Sequence, residues 1–334
     1  MRKIFFLLLS TFVLVSCSTK EKDKSVTVYV SEDQVFSEPV LKAFEKETGI
    51  RVNALYDTEE SKSTGATNRL IAEKNNPRAD VYWANEPIRA EVLRQKGILV
   101  PYQSPSAAGI PDVFIQKEYY WTGFSARIRI LLVNNALKTD PESILSYTEK
   151  TYKGKIVIAN PLFGTTTSHI AALFTVWGDA RTKAFLNALK QNDVAIATSN
   201  GESADFVASG RYLFSLVDSD DAMSRLKQKA AVHVVYPDQE EGALGAFVVP
   251  NAVMMIKGAP HPDMAKKLID YLLSRESERK LAFADCAQIP LHAEVEMPKG
   301  LKPIDAIKVM QVDYAEVAKK LVEIQPYLKR WLEQ

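Results

Sequence analysis

The sequence is poor in the residues that hold structural metals and disulfides. Its 334 residues include two cysteines, Cys17 and Cys286, and only four histidines. No CxxC pair and no group of Cys and His at ligand spacing occurs, which argues against a structural zinc site. Cys17 is predicted to be lipidated. Cys286 then has no partner for an internal disulfide, and we expect it in the core.

An excess of charge and the common catalytic motifs are also missing. The formal net charge is +1 and no basic run occurs, so nothing indicates nucleic-acid binding. The patterns GxSxG, GxxxxGK[ST], GxGxxG and HExxH are absent, and no histidine stands at metal-ligand spacing from another. We therefore predict that the protein is not an enzyme.

Only the N-terminus carries a long apolar run. Met1-Arg2-Lys3 is basic, Ile4 to Val15 is apolar but short for a membrane span, and Leu14-Val15-Ser16-Cys17 looks like a bacterial lipobox. Residues 1–17 are therefore predicted to be a lipoprotein signal peptide, and residues 18–25 a polar tether. The mature protein would be exported and anchored through lipidated Cys17, on the periplasmic side or at the cell surface.

Strand and helix patterns alternate after the tether. Val26–Val30, Ile50–Leu55 and Asp80–Trp83 are predicted strands separated by helical stripes, one of which has Phe36, Val40, Leu41 and Phe44 on one face and Gly49 at its end. This order is typical of a parallel sheet, and a second such series begins at residue 155. We predict an α/β fold of two lobes with a ligand cleft between them. Lobe A would contain residues 26–126 and 250–334, and lobe B residues 127–249.

Three further elements complete the prediction. Residues 127–134 form a strand that crosses between the lobes. Ala246–Pro250 and Val253–Lys257 are two strands that bring the chain back. A last helix from Tyr314 to Leu332 is kinked or split by Pro326.

The segment Gly164-Thr165-Thr166-Thr167 lies between a predicted strand and a predicted helix. Small and hydroxyl-bearing residues at a helix start leave N–H groups free for an anion, at the positive end of the helix dipole. The alternative is an ordinary capped helix, because Ser and Thr are favoured caps. His169 comes next, and we interpret it as a capping or surface residue.

Carboxylates follow three other predicted strands. The segment after residue 217 contains Asp218, Asp220 and Asp221, which could cap a helix or bind a cation or an amine. Asp33 and Glu86 follow strands of lobe A and are further candidates for the cation side. Because ligands of open α/β sheets bind beyond the carboxyl ends of strands, these segments are expected to face the cleft.

Arg127 and Arg129 are candidates for the anion side of the same cleft. They alternate on the crossing strand, so both side chains are expected on one face, where two guanidinium groups could clamp an anion. The alternative is that they pair with surface acids.

These features together resemble bacterial extracellular solute-binding proteins of ABC importers, and in particular the ferric-iron-binding receptors. The resemblance covers nearly the whole mature chain. It is carried by the segments at residues 28–29, 44–52, 79–83, 121–127 and 287–291, which read VY, FEKETGIRV, ADVYW, WTGFSAR and AQIPL. It implies a type II periplasmic-binding-protein-like fold with a two-strand hinge, an ABC permease and ATPase as partners, and a monomer.

The resemblance also implies a ligand set. In the iron receptors an anion rests on a small-residue loop, matched here by Gly164 to Thr167, and on an arginine, matched by Arg127 or Arg129. The iron is usually held by a tyrosine pair, but this sequence has Asp220-Asp221 at the matching place, and Asp33 near the first loop.

Several ligands therefore stay open. Iron(III) or another metal ion with phosphate or carbonate, held by Asp220 and Asp221, is the first prediction. A small phosphonate or phosphate ester, such as an aminophosphonate or a sugar phosphate, is the alternative. A secreted enzyme that acts on a phosphate ester is the second alternative, and an adhesin or sensor is a third.

Overall fold

The structure is a computed structural model that describes residues 24–57 and 64–333. The predicted signal peptide, most of the tether and Cys17 lie outside the described residues. Within the described ranges, no helix combines the length and the apolar character needed to cross a membrane.

In the part of the chain that the structure describes, ten strands form one continuous hydrogen-bonded system in the order β2-β1-β3-β10-β5-β8-β6-β7, with β4 beside β10 and β9 beside β5. The strands are β1 (Ser25–Val30), β2 (Arg51–Tyr56), β3 (Val81–Ala84), β4 (Leu99–Val100), β5 (Thr122–Asn134), β6 (Val157–Ala159), β7 (Ala195–Ala197), β8 (Phe214–Asp218), β9 (Val232–Val235) and β10 (Val248–Ile256).

Ten α-helices in the described residues cover this sheet system. They are α1 (Gln34–Thr48), α2 (Thr64–Ala72), α3 (Pro87–Gln95), α4 (Gly164–Val176), α5 (Asp179–Gln191), α6 (Asn200–Ala208), α7 (Ser219–Lys227), α8 (Pro262–Leu272), α9 (Arg275–Phe283) and α10 (Tyr314–Glu333).

The first half of the system is built from β2, β1 and β3, which run parallel, with β10 antiparallel to β3. Helix α1 shows why the local sequence folds this way. Val40, Leu41 and Phe44 are buried on one face, and Gly49 ends the helix with a left-handed φ of 67°, as predicted. The first half thus places the carboxyl ends of β1, β2 and β3 at one edge.

The second half has β8, β6 and β7 in parallel, with β8 antiparallel to β5. Strand β5 joins the two halves. Its residues 122–128 pair with β10, and its residues 129–133 pair with β8. All of β5 and all of β10 are buried, so the crossing strands run through the core. This arrangement brings the ends of β3, β6 and β8 toward one region.

Some predicted boundaries are wrong. The two return strands that were predicted are one strand, β10, which includes Pro250 and Asn251. A proline is tolerated there because the pairing with β5 is irregular at this position. Helix α10 continues through Pro326, so a split is wrong and the predicted kink stays a prediction. Two helices, α3 and α5, were not predicted. Helix α3 gives a weak signal because it has only nine residues and a weak apolar stripe.

Candidate functional site

Arg129 is the centre of a buried polar network. It lies on β5 directly opposite Asp218 of β8, and no part of it is exposed. Its Nη1 donates to Asp218 Oδ1 at 3.0 Å, to Asn200 Oδ1 at 3.0 Å and to Thr165 Oγ1 at 3.2 Å. Its Nη2 donates to Thr166 Oγ1 at 3.1 Å and to a main-chain carbonyl of β8. Every partner is neutral or anionic, so the buried guanidinium is compensated.

The same network contains residues that were predicted for opposite sides of the ligand. Thr165 Oγ1 donates to Asp218 Oδ2 at 2.8 Å and accepts from Asn200 Nδ2 at 2.9 Å. Thr165 and Arg129, expected to hold an anion, are thus bonded to Asp218, expected to hold a cation. We refer to Arg129, Asp218, Thr165, Thr166 and Asn200 as the Arg129 network. Its hydroxyl groups and both Nη atoms of Arg129 have protein partners, whereas Arg129 Nε is buried without one.

The start of α4 is not capped by a side chain. Phe163 occupies the N-cap position without a side-chain hydrogen bond, and Gly164 follows with φ of 59°. Gly164 is exposed, and a Cβ there would meet nothing within 4 Å. Thr167 Oγ1 donates back to the carbonyl of Pro161 at 2.8 Å. The interpretation of the threonines as ordinary caps is therefore wrong, but Thr167 does not join the Arg129 network.

The interpretation of His169 as a capping or surface residue is also wrong. His169 is 3% exposed, and its ring stacks on Phe247 with centroids 5.2 Å apart. Neither ring nitrogen has a hydrogen-bond partner. Burial lowers the pKa of His169 to about 3, with a further lowering contribution from the nearby Arg129. The imidazole is therefore neutral and serves as a core ring.

Asp218, Asp220 and Asp221 form a group that we call the acidic cluster. Asp218 is the N-cap residue of α7 but makes no side-chain cap bond, and the other two lie in the first turn. One carboxylate oxygen from each lies within 4.8 Å of the others. Such a group could hold a metal ion or an ammonium group, because like charges at this distance repel unless a cation lies among them.

The electrostatics of the acidic cluster reflect this repulsion. Burial raises the pKa of Asp220 to about 6, against the opposing effect of Arg127 and with a raising contribution from Asp218. Burial also raises the pKa of Asp221 well above its ordinary value, with Asp220 and Asp218 adding to the shift. Arg225 lies 4.0 Å from Asp221, but it also pairs with an exposed aspartate of α6. Arginines lie within 4.0 Å of Asp218 and Asp221, so the cluster is partly compensated, yet burial still favours the protonated forms of Asp220 and Asp221.

Arg127 lies between acids of both halves. Its Nη2 donates to the main-chain carbonyl of Asn85, and its Nη1 is 4.0 Å from Asp218 Oδ2. Burial lowers its pKa, but the carboxylates of Asp218, Asp220, Glu32 and Glu86 outweigh that effect and the net pKa is raised. Its Nε is buried without a hydrogen-bond partner. Arg127 therefore keeps its charge and has one donor that the protein does not use.

Glu86 connects the two halves. It precedes α3 in the first half, and its Oε2 accepts from Ser168 Oγ of α4 in the second half at 2.8 Å. Its Oε1 is 3.3 Å from Arg89 Nε. Asp33 stands at the N-cap of α1, where its main-chain carbonyl accepts from the N–H groups of residues 36 and 37. Asp33 is thus placed at the end of β1, on the first half.

Several of these residues were not predicted from the sequence. Asn200 follows β7, so attention to every post-strand polar residue would have found it. Arg89 lies inside a helix, where no local pattern marks it.

Two cavities of the described structure lie away from this region. One of about 310 Å³ lies beside Leu70, Lys74 and Ile256, and one of about 450 Å³ lies beside Tyr236 and Gly300. Their linings contain no residue of the Arg129 network or the acidic cluster. The charged side chains and hydrogen bonds of the Arg129 network and the acidic cluster therefore define the candidate site, since buried charged groups of perturbed pKa cluster at functional sites.

Known proteins resemble this chain along almost its full length. A putative 2-aminoethylphosphonate-binding periplasmic protein of Salmonella typhimurium is 24% identical, over 97% of this chain and 96% of the relative. Iron uptake protein A1 of Synechocystis sp. is 27% identical, over 83% of this chain and 80% of the relative. Each match is long enough to extend over both predicted lobes, which agrees with the resemblance to solute-binding proteins that the sequence motifs indicate.

The solved structure of iron-bound HitA from Pseudomonas aeruginosa superposes with a TM-score of 0.80 at 21% identity, and the match covers 91% of this chain and 99% of that one. This likeness confirms the predicted α/β fold of the type II periplasmic binding proteins, with two lobes. The sequence also matches the family described as bacterial extracellular solute-binding protein over residues 40–302. This chain belongs to the bacterial extracellular solute-binding protein family.

Proposed function

We propose that this protein is the receptor of an ABC importer, which captures a small ligand between its two lobes and delivers it to a permease and ATPase. Residues 26–126 and 250–334 form one lobe, and residues 127–249 form the other. The observation that carries the proposal is the acidic cluster beside Arg127, at the strand ends where the two halves meet. Closure of the lobes requires no chemistry, so the protein has no catalytic residue.

The first candidate ligand is iron(III), or another metal ion, together with phosphate or carbonate. Carboxylate oxygens are suitable ligands for hard cations, and Asp220 and Asp221 are the residues that would hold the ion, with Asp218 beside them. Arg127 and the exposed start of α4 at Gly164 would take the accompanying anion. A related protein of Synechocystis is named as an iron uptake protein, which supports this choice.

The second candidate ligand is an aminophosphonate such as 2-aminoethylphosphonate. A specific observation favours it, because the positions that match the tyrosine pair of the iron receptors hold Asp220 and Asp221. Burial and mutual repulsion disfavour the anionic forms of these two carboxylates, so an ammonium group between them would stabilise both. The unused Nε–H of Arg127 suits a phosphonate oxygen. The Salmonella relative named as a 2-aminoethylphosphonate-binding protein supports this candidate.

The N-terminal sequence completes the proposal. Export through the signal peptide and lipidation of Cys17 would tether a monomeric receptor to the membrane by lipid alone. Mass spectrometry of the N-terminal peptide tests this assignment. A diacylglyceryl-modified Cys17 supports it, and an unmodified Met1 contradicts it.

Thermal unfolding with a ligand panel tests the proposed function. The panel contains iron(III) citrate, iron(III) with phosphate, manganese, calcium, 2-aminoethylphosphonate and a sugar phosphate. A ligand at 100 times its Kd adds about 2.7 kcal/mol to the free energy of unfolding, which raises Tm by a few degrees. The response should disappear in Asp220→Asn and persist in Asp285→Asn, a matched change at an acid outside the site that is 92% exposed.

The outcomes separate the candidates. Stabilisation by iron(III) and not by the phosphonate supports the metal ligand, and the reverse supports the organic ligand. Turnover of a phosphate ester by the purified protein would contradict the assignment as a receptor without catalysis.

A further inference from the structure

Strand β5 contains an irregularity just before Arg127. In its pairing with β10, Phe124 lies opposite Asn251 and Ala126 lies opposite Pro250. Ser125 therefore stands between two successive pairs. Its φ is 38°, in the left-handed region that residues with a Cβ rarely adopt. Ser125 is thus the extra residue of a β-bulge.

The bulge decides the face of the sheet on which Arg127 lies. Arg127 pairs with Val249, and Phe124 pairs with Asn251. Val249 and Asn251 are two positions apart and share a face, and paired residues of antiparallel strands share a face as well. Phe124 and Arg127 are three positions apart, so they share that face only because Ser125 takes up one position.

A buried carboxylate holds one side of the bulge. Glu278 of α9 is fully buried, and its Oε1 accepts from the N–H of Ser125 at 2.7 Å and from the N–H of Leu291 at 2.9 Å. Its Oε2 accepts from the N–H of His292 at 3.0 Å and lies 2.8 Å from the Nδ1 of the same residue. The carboxylate therefore has two partners on each oxygen.

A buried amide holds the other side. Asn251 Nδ2 donates to the carbonyl of Ser125 at 2.6 Å and to Gln288 Oε1 at 2.8 Å. Asn251 Oδ1 accepts from Trp83 Nε1 at 3.1 Å. Both main-chain polar groups of Ser125 are thus fixed by side chains from elsewhere in the chain. A strained backbone conformation persists only where its surroundings hold it in this way.

We propose that Glu278 is a positioning residue for ligand binding, which acts by holding the bulge at Ser125 and thereby aiming Arg127 into the cleft. The inference rests on the proposed function in one respect, that Arg127 contacts the ligand. Without Glu278, Ser125 relaxes toward an ordinary strand conformation. Arg127 then leaves its place between Asn85 and Asp218.

A matched buried carboxylate provides the control. Asp80 is also fully buried, and it accepts from the N–H of Thr27 at 2.7 Å and from the N–H and Nδ1 of His261 at 2.6 and 3.0 Å. It contacts β1 and the start of α8 and does not touch the bulge. Glu278→Gln and Asp80→Asn should both lower Tm, since each places an amide where N–H groups need an acceptor.

Ligand affinity should separate the two variants. The probes are iron(III) citrate and 2-aminoethylphosphonate, with Kd measured by calorimetry. Glu278→Gln should raise Kd by at least about tenfold, because a small misplacement of a binding group is costly, whereas Asp80→Asn should leave Kd within about twofold. An unchanged Kd in Glu278→Gln overturns the proposal. So does an equal loss in Asp80→Asn.

A double-mutant cycle tests the same inference without a ligand. If Glu278 acts through Arg127, the Tm losses of Glu278→Gln and Arg127→Met should combine to less than their sum. The losses of Glu278→Gln and Arg89→Met should add. Additive losses with Arg127→Met overturn the proposal. If the wild-type protein binds neither probe, the proposed ligands fail, and this cycle still decides the role of Glu278.

Glycine at the bulge provides a rescue. Gly adopts a φ of 38° without steric cost, so Ser125→Gly in the Glu278→Gln background should recover part of the affinity or of the Tm coupling with Arg127. No recovery contradicts the bulge as the route of the effect. Should Glu278→Gln fail to fold, Glu278→Asp replaces it in the same cycle, since it keeps the charge and shortens the side chain.

Discussion

Arg129 and Asp218 stand directly opposite each other on β5 and β8, and their side chains form an ion pair of 3.0 Å in the core. The pair is 89 residues apart in the chain and has no exposed part on the arginine side. It fixes the crossing strand to the strand that leads into the acidic cluster. The pair therefore belongs to the framework of the site, and the residues around it are placed to meet the ligand.

Removal of one partner of this pair should be severe. Asp218→Ala leaves Arg129 buried without its anion, which typically costs about 3–5 kcal/mol of unfolding free energy. Asp179→Ala is the control, because Asp179 pairs with Lys183 at 2.8 Å on the surface and such pairs contribute about 0–1 kcal/mol. Urea unfolding measures both. Equal losses in the two variants would contradict a buried, compensating role for Asp218.

Asp220 should reduce stability at neutral pH while it serves binding. Burial raises its folded pKa to about 6, above the ordinary value of 3.8, so the folded state favours the protonated form. The protonated carboxyl therefore contributes to the free energy of unfolding below about pH 4, and this contribution is lost as the pH rises through about 6. Asp220→Asn should therefore raise the ligand-free stability at pH 7 by on the order of 1–3 kcal/mol. The gain should disappear below about pH 4.

Unfolding of ligand-free Asp220→Asn and wild type between about pH 4 and pH 8 measures this difference. Asp285→Asn is the control, since Asp285 is 92% exposed and contacts Lys227. The same Asp220→Asn protein should lose the stabilisation by ligand. A variant that is less stable than wild type at pH 7 would show that a cation already compensates the cluster.

His169 should make the protein sensitive to acid. Burial lowers its folded pKa to about 3, below the ordinary 6.5, so the unfolded chain binds the proton first. Stability should fall as the pH drops below about 6.5, by about 1.4 kcal/mol per pH unit for this group. His169→Phe keeps a ring against Phe247 and removes the titration. The free energy of unfolding of His169→Phe, measured relative to wild type, should therefore increase as the pH is lowered from about 7 to about 4.

The control for this series is His233→Gln, because His233 is 38% exposed and pairs with an aspartate at the surface. Thermal unfolding at several pH values measures all three proteins. A constant difference between wild type and His169→Phe across the pH range would mean that the buried imidazole accepts a proton in the folded state.

Two threonines of the same helical turn should behave differently. Thr165→Val removes a 2.8 Å hydrogen bond to the charged Asp218 and a contact with Arg129, which should cost about 1.5–3 kcal/mol and weaken ligand binding. Thr167→Val removes only a bond to the carbonyl of Pro161, which should cost about 1 kcal/mol and leave binding unchanged. Urea unfolding and the ligand-induced shift in Tm compare them. If Thr165→Val and Thr167→Val weaken binding equally, the loss comes from a change of the whole helix start and not from the hydrogen bond of Thr165 to Asp218.

A hydrogen bond between the two halves should favour closure. Ser168 Oγ and Glu86 Oε2 are 2.8 Å apart and both residues are buried. Ser168→Ala should make the ligand-free protein more open, with a larger radius of gyration in X-ray scattering, and should weaken binding by up to about tenfold. Thr175→Ala is the control, because its hydroxyl bonds only within α4. An unchanged radius with unchanged affinity would remove this contact from the closure mechanism.

The sequence by itself determined the alternation of strands and helices, and it showed that polar and charged residues follow the strands. Helix α1 was predicted from its apolar stripe and from Gly49, since both signals act within a few residues. The positions of Thr165 and Asp218 after β6 and at the end of β8 were likewise readable, and so was the resemblance that the family match confirms.

The tertiary structure alone decided which of these residues meet. Local pattern could not show that Arg129 and Thr165 are bonded to Asp218, because strand register joins positions far apart in the chain. Nor could it show that β10 is one strand, or that His169 is buried. One extra residue at Ser125 reverses the face of the residues after it on β5, and only long-range contacts such as that of Glu278 hold it there.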